Sequence, residues 1–186
     1  MIGHLKGQLL AKKPNLVLVD VHGVGYEVHI PVTTFYDLPS EGGDIALRIH
    51  THVREDVLVL YGFGSQREKD FFLKLVAISG IGPKVAISIL SGARVEELAQ
   101  AVAAGDLAKL TAIPGVGRKT AERIVLELKG QVGPFLAAEP ARDQAASTTA
   151  GVRDDVISAL VNLGYARPAA EKALSAIARS PGDEEP

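Results

Sequence analysis

Residues 73–90, LKLVAISGIGPKVAISIL, and residues 108–125, AKLTAIPGVGRKTAERIV, are two copies of one unit. They align at an offset of 35 without a gap, and nine of the eighteen positions are identical. A repeat marks one supersecondary unit used twice, so it governs the reading of everything around it. Each copy reads as helix, Gly-x-Gly hairpin, helix, with Gly80 and Gly82 in the first hairpin and Gly115 and Gly117 in the second. Glycine permits the tight turn and leaves no side chain over the backbone. The next helix then opens with unpaired N–H groups and the positive end of its dipole, which together favour an anion. Lys84 and Lys119 fall in the first turn of those helices, and Arg123 lies one turn beyond Lys119 on the same face. Backbone N–H groups and a lysine recognise phosphate rather than base edges, so such a contact positions a protein without reading sequence. Two copies could hold two phosphate strands of one duplex.

Two other readings of the repeat deserve weight. Gly-x-Gly could merely turn one helix into the next. A lysine two residues after the second glycine in both copies argues against that. Gly115-Val116-Gly117-Arg118-Lys119-Thr120 also has the look of a P-loop. That motif needs glycine immediately before the lysine and another five residues earlier. Those places hold Arg118 and Ile113, and the preceding segment is patterned as helix, so nucleotide binding is excluded.

Towards the N-terminus, residues 1–63 read as strands. Leu16–Val21 is a short apolar run, Gly23-Val24-Gly25 punctuates it, and Tyr26–Ile30 alternates at period two. Pro31 and Pro39 bracket a short irregular piece. Ile45–Ile49 and Val57–Tyr61 make further strands around an Arg54-Glu55-Asp56 turn. About five or six short strands predict a small barrel of the OB-fold type. The period changes at Ser65, which has capping-box spacing to Glu68, and Phe71, Phe72, Leu75 and Val76 form a helical stripe.

Beyond Gly130, residues 131–150 are rich in Ala, Pro, Ser and Thr without an apolar period and read as a flexible linker. Two short helices follow, marked by Val156, Leu160 and Leu163, then by Ala170, Leu174 and Ile177. An acidic tail, Ser180–Pro186, closes the chain. The expected fold is multidomain α+β: an OB-fold barrel over 1–63, a tandem helix-hairpin-helix domain over 64–130, a linker over 131–150, and a small helical domain over 151–186.

Of the 186 residues, 47% are hydrophobic and 23% charged, as in soluble globular proteins. The absence of cysteine excludes disulfides, thiolate nucleophiles and cysteine metal sites. MIGHLKGQLL lacks the pattern of a signal peptide, and no stretch is long enough to span a bilayer, so the expectation is a cytoplasmic protein with no membrane partner. Net charge is −2, but its distribution is uneven. Residues 79–130 carry seven Lys/Arg against five Asp/Glu, while 1–62 carry five against seven and 139–186 five against eight. The repeat is the basic part of an otherwise acidic chain.

MIGHLKG, GVGYEVHIPVTTFYDLP, VRED, LYGF, GIGPKVAISILSG and PGVGRKTAERIVLELK together resemble the RuvA family, the DNA-binding subunits of bacterial Holliday-junction branch-migration complexes. The resemblance covers residues 1 to about 130 in order, and residues 152–179, with LVNLGY, are more weakly similar to the family's third domain. It implies a homotetramer, one or two per junction, that holds an open four-way junction on one face. It implies recruitment of the hexameric RuvB ATPase through the third domain, where Leu163, Gly164 and Tyr165 would make contact, and RuvC resolvase as a further partner. By the same resemblance, Gly80, Gly82, Lys84, Gly115, Gly117, Arg118, Lys119 and Arg123 contact phosphates, and Glu55 and Asp56 form an acidic pin at the crossover. The family's third domain has three helices whereas two are patterned here, so that domain is either shortened or has its final helix replaced by the acidic tail.

Taken without the resemblance, Glu55 and Asp56 read equally as a solvated hairpin tip, and as adjacent carboxylates they are poor partners for acid–base chemistry. His50 and His52 share a strand face but lack a third ligand at useful spacing, and His4, His22 and His29 are isolated. Ser79 and Ser91 have no His–Asp arrangement to activate them. The expectation is a non-catalytic protein without cofactor or metal. The rival from another class is a junction nuclease, for which Asp106, Glu122 and Glu127 are the acids at hand. A general duplex-binding scaffold is the second rival.

Overall fold

The N-terminal strands close into a barrel. β1 (His4–Lys13), β2 (Leu16–Val21), β3 (Val24–His29), β4 (Asp44–Val53) and β5 (Leu58–Phe63) follow one another around it in the order β1-β2-β3-β5-β4. β4 returns antiparallel to β1, and β3 runs parallel to β5. The period-two pattern builds the core: Ile45, Leu47 and Ile49 point inward while Ala46 and Arg48 face out. The structure, a computed structural model, describes residues 1–136. The linker from residue 137 onward, the C-terminal domain with Leu163, Gly164 and Tyr165, and the acidic tail lie outside the described residues.

Three details depart from the sequence pattern. β1 is ten residues long and alternates between core and solvent from His4 to Ala11, but Gly7 and Ala11 stand at two of its inward positions and give the sequence little apolar period, and its register with β2 shifts between Leu9 and Ala11. Leu5 and Leu9 are buried, and Leu10, next to Leu9 on the opposite face, is exposed although apolar. β3 begins at Val24 rather than Tyr26, because the reversal is confined to His22 (φ 53°) and Gly23 (φ 88°), both left-handed. Between Pro31 and Pro39 the chain is helical, not irregular: α1 spans Val32–Asp37. Pro31 O accepts from Phe35 N–H (3.0 Å), and Leu38, extended as a residue before proline prefers, ends the helix. Six residues are too few to display a helical period.

The helical part comprises α2 (Gln66–Ala77), α3 (Pro83–Gly92), α4 (Val95–Ala104), α5 (Leu107–Thr111) and α6 (Arg118–Leu128). Ser65 caps α2 as its spacing with Glu68 predicts, its hydroxyl accepting from Glu68 N–H (3.1 Å). The Glu68 carboxylate accepts from Gly64 N–H (3.0 Å) and from the Thr34 hydroxyl (2.8 Å), joining α1 to α2. Tyr61 and Phe63 of β5 pack in the same core as Phe71, Phe72 and Leu75 of α2, so β5 joins the helical core while the barrel interior forms a cluster of its own. α1 adds polar ties, with Ser91 Oγ accepting from Val32 N–H (3.0 Å) and Leu90 O from the Thr33 hydroxyl (3.0 Å).

Packed structure continues six residues past the expected end of the helical domain at Gly130. Val132 and Phe135 are buried, residues Gly133–Phe135 form a 3-10 turn, and Arg67 donates to Phe135 O while pairing with Glu96 (3.3 Å). The linker reading therefore fails for residues 131–136. Two isolated apolar residues give no period to detect, although both join the helical core, where Phe135 meets Phe71 of α2 edge-on (5.1 Å). Among the described residues, no helix is long and apolar enough to cross a membrane.

Candidate nucleic-acid interface

The two hairpins repeat at atomic detail. In the first, Ile78 N–H donates to Leu75 O (3.1 Å), Ile81 N–H to Ile78 O (3.0 Å) and Ala86 N–H to Gly82 O (3.0 Å). In the second, Ile113 N–H donates to Leu110 O (3.3 Å), Val116 N–H to Ile113 O (3.0 Å) and Ala121 N–H to Gly117 O (2.9 Å). The identical positions Leu75/Leu110, Ile78/Ile113, Ala86/Ala121 and Ile89/Ile124 are buried in both. Apolar identity between the copies thus records the packing that shapes the turn.

The glycines divide into two kinds. Gly80 (φ 89°) and Gly115 (φ 87°) are left-handed, a conformation that costs other residues roughly 1–2 kcal/mol. Gly82 (φ −84°) and Gly117 (φ −80°) are extended N-caps that any residue could adopt. A Cβ on either would meet no atom within 4 Å. Neither conformation nor internal packing calls for glycine there. What their bareness leaves is an open approach to the first N–H groups of α3 and α6, which carry no side-chain cap.

The predicted cations lie around these openings, all exposed. Lys84 and Lys119 are the second residues of α3 and α6. Arg118 leads α6, but its Nε is paired with Glu122 (3.0 Å), which offsets part of its charge. Arg123 departs from the simplest expectation: its Nη1 donates to Ser79 O, in the first hairpin rather than the second.

Glu55 and Asp56 occupy the tip between β4 and β5. Arg54 N–H donates to Val57 O (2.8 Å) and Val57 N–H returns to Arg54 O (3.4 Å), so both acids sit at the centre of a tight turn, exposed. This tip faces the first hairpin across a groove lined by His52, Arg54, Asp56, Tyr61, Gly82 and Lys84. Arg54, noted in the sequence only as part of the turn, thereby joins the interface. Its adjacency to the two acids was the available signal. Its Nε donates to His52 Nε2 (3.1 Å). Burial raises the Tyr61 pKa above its ordinary value and the neighbouring Arg54 opposes that shift. Burial, then the charges of His52 and Lys69, lower that of His50.

Two of the three acids a nuclease would need are otherwise occupied. Asp106 caps α5, accepting from Lys109 N–H (3.0 Å), Glu122 pairs with Arg118, and Glu127 is exposed on α6. Among the described residues, no three His, Cys, Asp or Glu side chains gather where a metal could bind. Ser91 is held structurally, donating to Ile87 O (2.7 Å) and accepting from Val32 N–H.

Comparison with known proteins agrees with this architecture along the chain. Residues 1–62 match the RuvA N terminal domain, 72–129 the SAM-like Helix-hairpin-helix tandem, and 151–185 the RuvA C-terminal domain. The "Holliday junction branch migration complex subunit RuvA" of Citrifermentans bemidjiense is 51% identical over 179 residues, covering 94% of this chain and 88% of that protein. The protein of that name from Trichlorobacter lovleyi is 54% identical over 178 residues, with the same coverage of 94% and 88%. That of Syntrophobacter fumaroxidans is 47% identical over 186 residues, covering 100% of this chain and 93% of the relative. A barrel joined to a doubled hairpin, matched in order and at this identity, makes the chain a member of the RuvA family.

Proposed function

We propose that this chain is a non-catalytic subunit that binds open four-way DNA junctions by their phosphates, independently of sequence, and delivers them to a branch-migration motor. One observation carries the reading. Each hairpin ends in a glycine that neither φ nor packing requires, at an uncapped helix N-terminus, beside an exposed lysine. Gly80, Gly82, Lys84 and Arg123 serve one clamp, and Gly115, Gly117, Arg118 and Lys119 the other. The relatives are named as branch-migration complex subunits, which supplies the substrate class. The chain works in the cytoplasm as a homotetramer, with one or two tetramers on each junction. It needs no cofactor. The ATPase is the separate RuvB chain, engaged through residues 151–186 with Leu163, Gly164 and Tyr165, and RuvC shares the same junction.

Glu55 and Asp56 supply selectivity by repulsion. Fourfold assembly brings four such tips together at the crossover. A phosphate about 4 Å from one carboxylate is repelled by roughly 1 kcal/mol in bulk water and about 4 kcal/mol at an effective dielectric near 20. Continuous duplex crossing the centre meets that repulsion, whereas an open junction splays its strands around it. The test is a gel-shift titration of wild type and of Glu55→Gln/Asp56→Asn against a four-way junction and a linear duplex at one salt concentration. Wild type should prefer the junction, and the double variant should gain more on duplex than on junction. Equal wild-type affinity for both DNAs would instead favour a general duplex-binding scaffold. An unchanged duplex-to-junction ratio in the variant would reduce the pin to a solvated turn.

A further inference from the structure

Two hydrogen bonds cross between the copies of the repeat. Ser88, on α3 of the first copy, donates its hydroxyl to Pro114 O (2.8 Å), the carbonyl just before Gly115. Arg123, on α6 of the second copy, donates Nη1 to Ser79 O, the carbonyl just before Gly80. Ser88 and Arg123 occupy the same place in the aligned repeat, and so do Ser79 and Pro114. Each copy therefore reaches from its second helix to the hairpin of the other. The relation is two-fold, like the backbone pattern, but it is carried by different residue types, so the identity between copies does not reveal it.

Both acceptors sit at the point where the helical ladder has ended and a left-handed glycine reverses the chain. A carbonyl there has no helical partner to orient it, so the donor that reaches it sets the turn. The Arg123 guanidinium also rests on the turn itself: a Cβ at Gly80 would lie 3.3 Å from its Nη1. Neither bond could exist in a single hairpin unit. Both depend on the two copies being folded against each other.

We propose that Ser88 and Arg123 are positioning residues, a crossed pair of latches that fix the separation and orientation of the two phosphate clamps. The proposal rests on the two-clamp reading above. Phosphates on two strands of a duplex lie at a set spacing, so two clamps bind together only if their own spacing is held beforehand. Holding it lowers the ordering cost of binding. Arg123 has a second consequence, because its exposed guanidinium adds positive charge at the first hairpin although the second motif carries it. Ser88 acts without charge.

Amide hydrogen exchange on the full-length protein without DNA tests the crossing. Ile81 and Val116 N–H are the hydrogen-bonded reporters of the first and second hairpins. Ser88→Ala should speed exchange at Val116 roughly twofold to tenfold, the range set by losing one neutral hydrogen bond, and leave Ile81 unchanged. Arg123→Gln should do the reverse, speeding Ile81 and sparing Val116. Equal acceleration at both, or acceleration only in the hairpin of the mutated copy, overturns the crossed latch. Ser88→Ala should also weaken four-way junction binding by up to roughly tenfold while leaving the salt slope unchanged, since no cation is lost. Ser88→Thr, which keeps the hydroxyl, should restore both readouts. Unchanged exchange and unchanged affinity in Ser88→Ala would also overturn the proposal. The exchange arm involves no DNA, so failure of wild type to prefer a junction would sink the functional reading without touching the latch result.

Discussion

The four helix starts that flank the hairpins separate into two kinds. α2 and α5, which lead into the hairpins, are closed by side chains: Ser65 accepts from Glu68 N–H and Asp106 from Lys109 N–H. α3 and α6, which lead out of them, begin at bare glycines with no side-chain cap. α4 is also uncapped, but Glu96 and Glu97 in its first turn make it a poor place for a phosphate. At the hairpins the chain thus caps the helices that lead in. It leaves those that lead out open, with a lysine alongside, where an anion is to land. The contrast is internal to one molecule, so it holds composition and conditions constant.

The largest effect on binding should come from removing the cations at the open starts. Lys84→Ala and Lys119→Ala should each weaken junction binding by about tenfold or more, as expected for losing a charged hydrogen bond, and should make the log–log salt plot shallower by about 0.9 for each phosphate released. Both lysines are exposed, so circular dichroism should be unchanged. Loss of fold would make them structural and break the comparison. Gly80→Ala and Gly115→Ala act on the other kind of glycine. Their left-handed φ should cost the fold roughly 1–2 kcal/mol, seen as a lower denaturation midpoint.

Smaller effects sharpen the difference between the two clamps. Arg118→Ala should weaken binding less than Lys119→Ala, because Glu122 already offsets that guanidinium. Glu122→Gln should strengthen binding slightly, by a few-fold at most, in proportion to an exposed ion pair. A larger loss for Arg118 than for Lys119 would show that the pair opens on DNA. The smallest effect lies away from the hairpins, on β4. Because His50 has its pKa lowered in the fold from the ordinary 6.5, the unfolded chain takes up that proton at higher pH. Stability should be fully present above about pH 7 and fall as pH drops through the histidine range, and His50→Gln should flatten that slope in urea titrations. Equal slopes for both proteins would remove His50 as the cause.

What could be read in the sequence follows from where the signal is repeated. The doubled hairpin was legible because buried positions such as Leu75 and Leu110 are constrained alike, and the barrel because β4 alternates between core and solvent. α1 was missed because six residues between prolines cannot show a period. The ten-residue β1 was obscured because Gly7 and Ala11 stand at inward positions while the apolar Leu10 faces out. Val132 and Phe135 were missed because their partners lie on α2 and α4, far away in sequence. At the site, all the predicted glycines and lysines lie where spacing put them. Arg123 differs because its guanidinium spans two copies, a tertiary relation that spacing within one helix cannot express.

The most direct test of the open helix starts is Gly82→Ser/Gly117→Ser, with unfolding stability and junction affinity measured on the same preparation. Serine is a better N-cap than glycine and fits these φ angles, and its Cβ meets nothing. Its hydroxyl would bond the same N–H groups that a phosphate is to use. The double variant should be as stable as wild type or up to about 1 kcal/mol more stable at each site, and should lose at least tenfold in junction affinity. Junction affinity equal to wild type in a stable double variant would contradict this expectation.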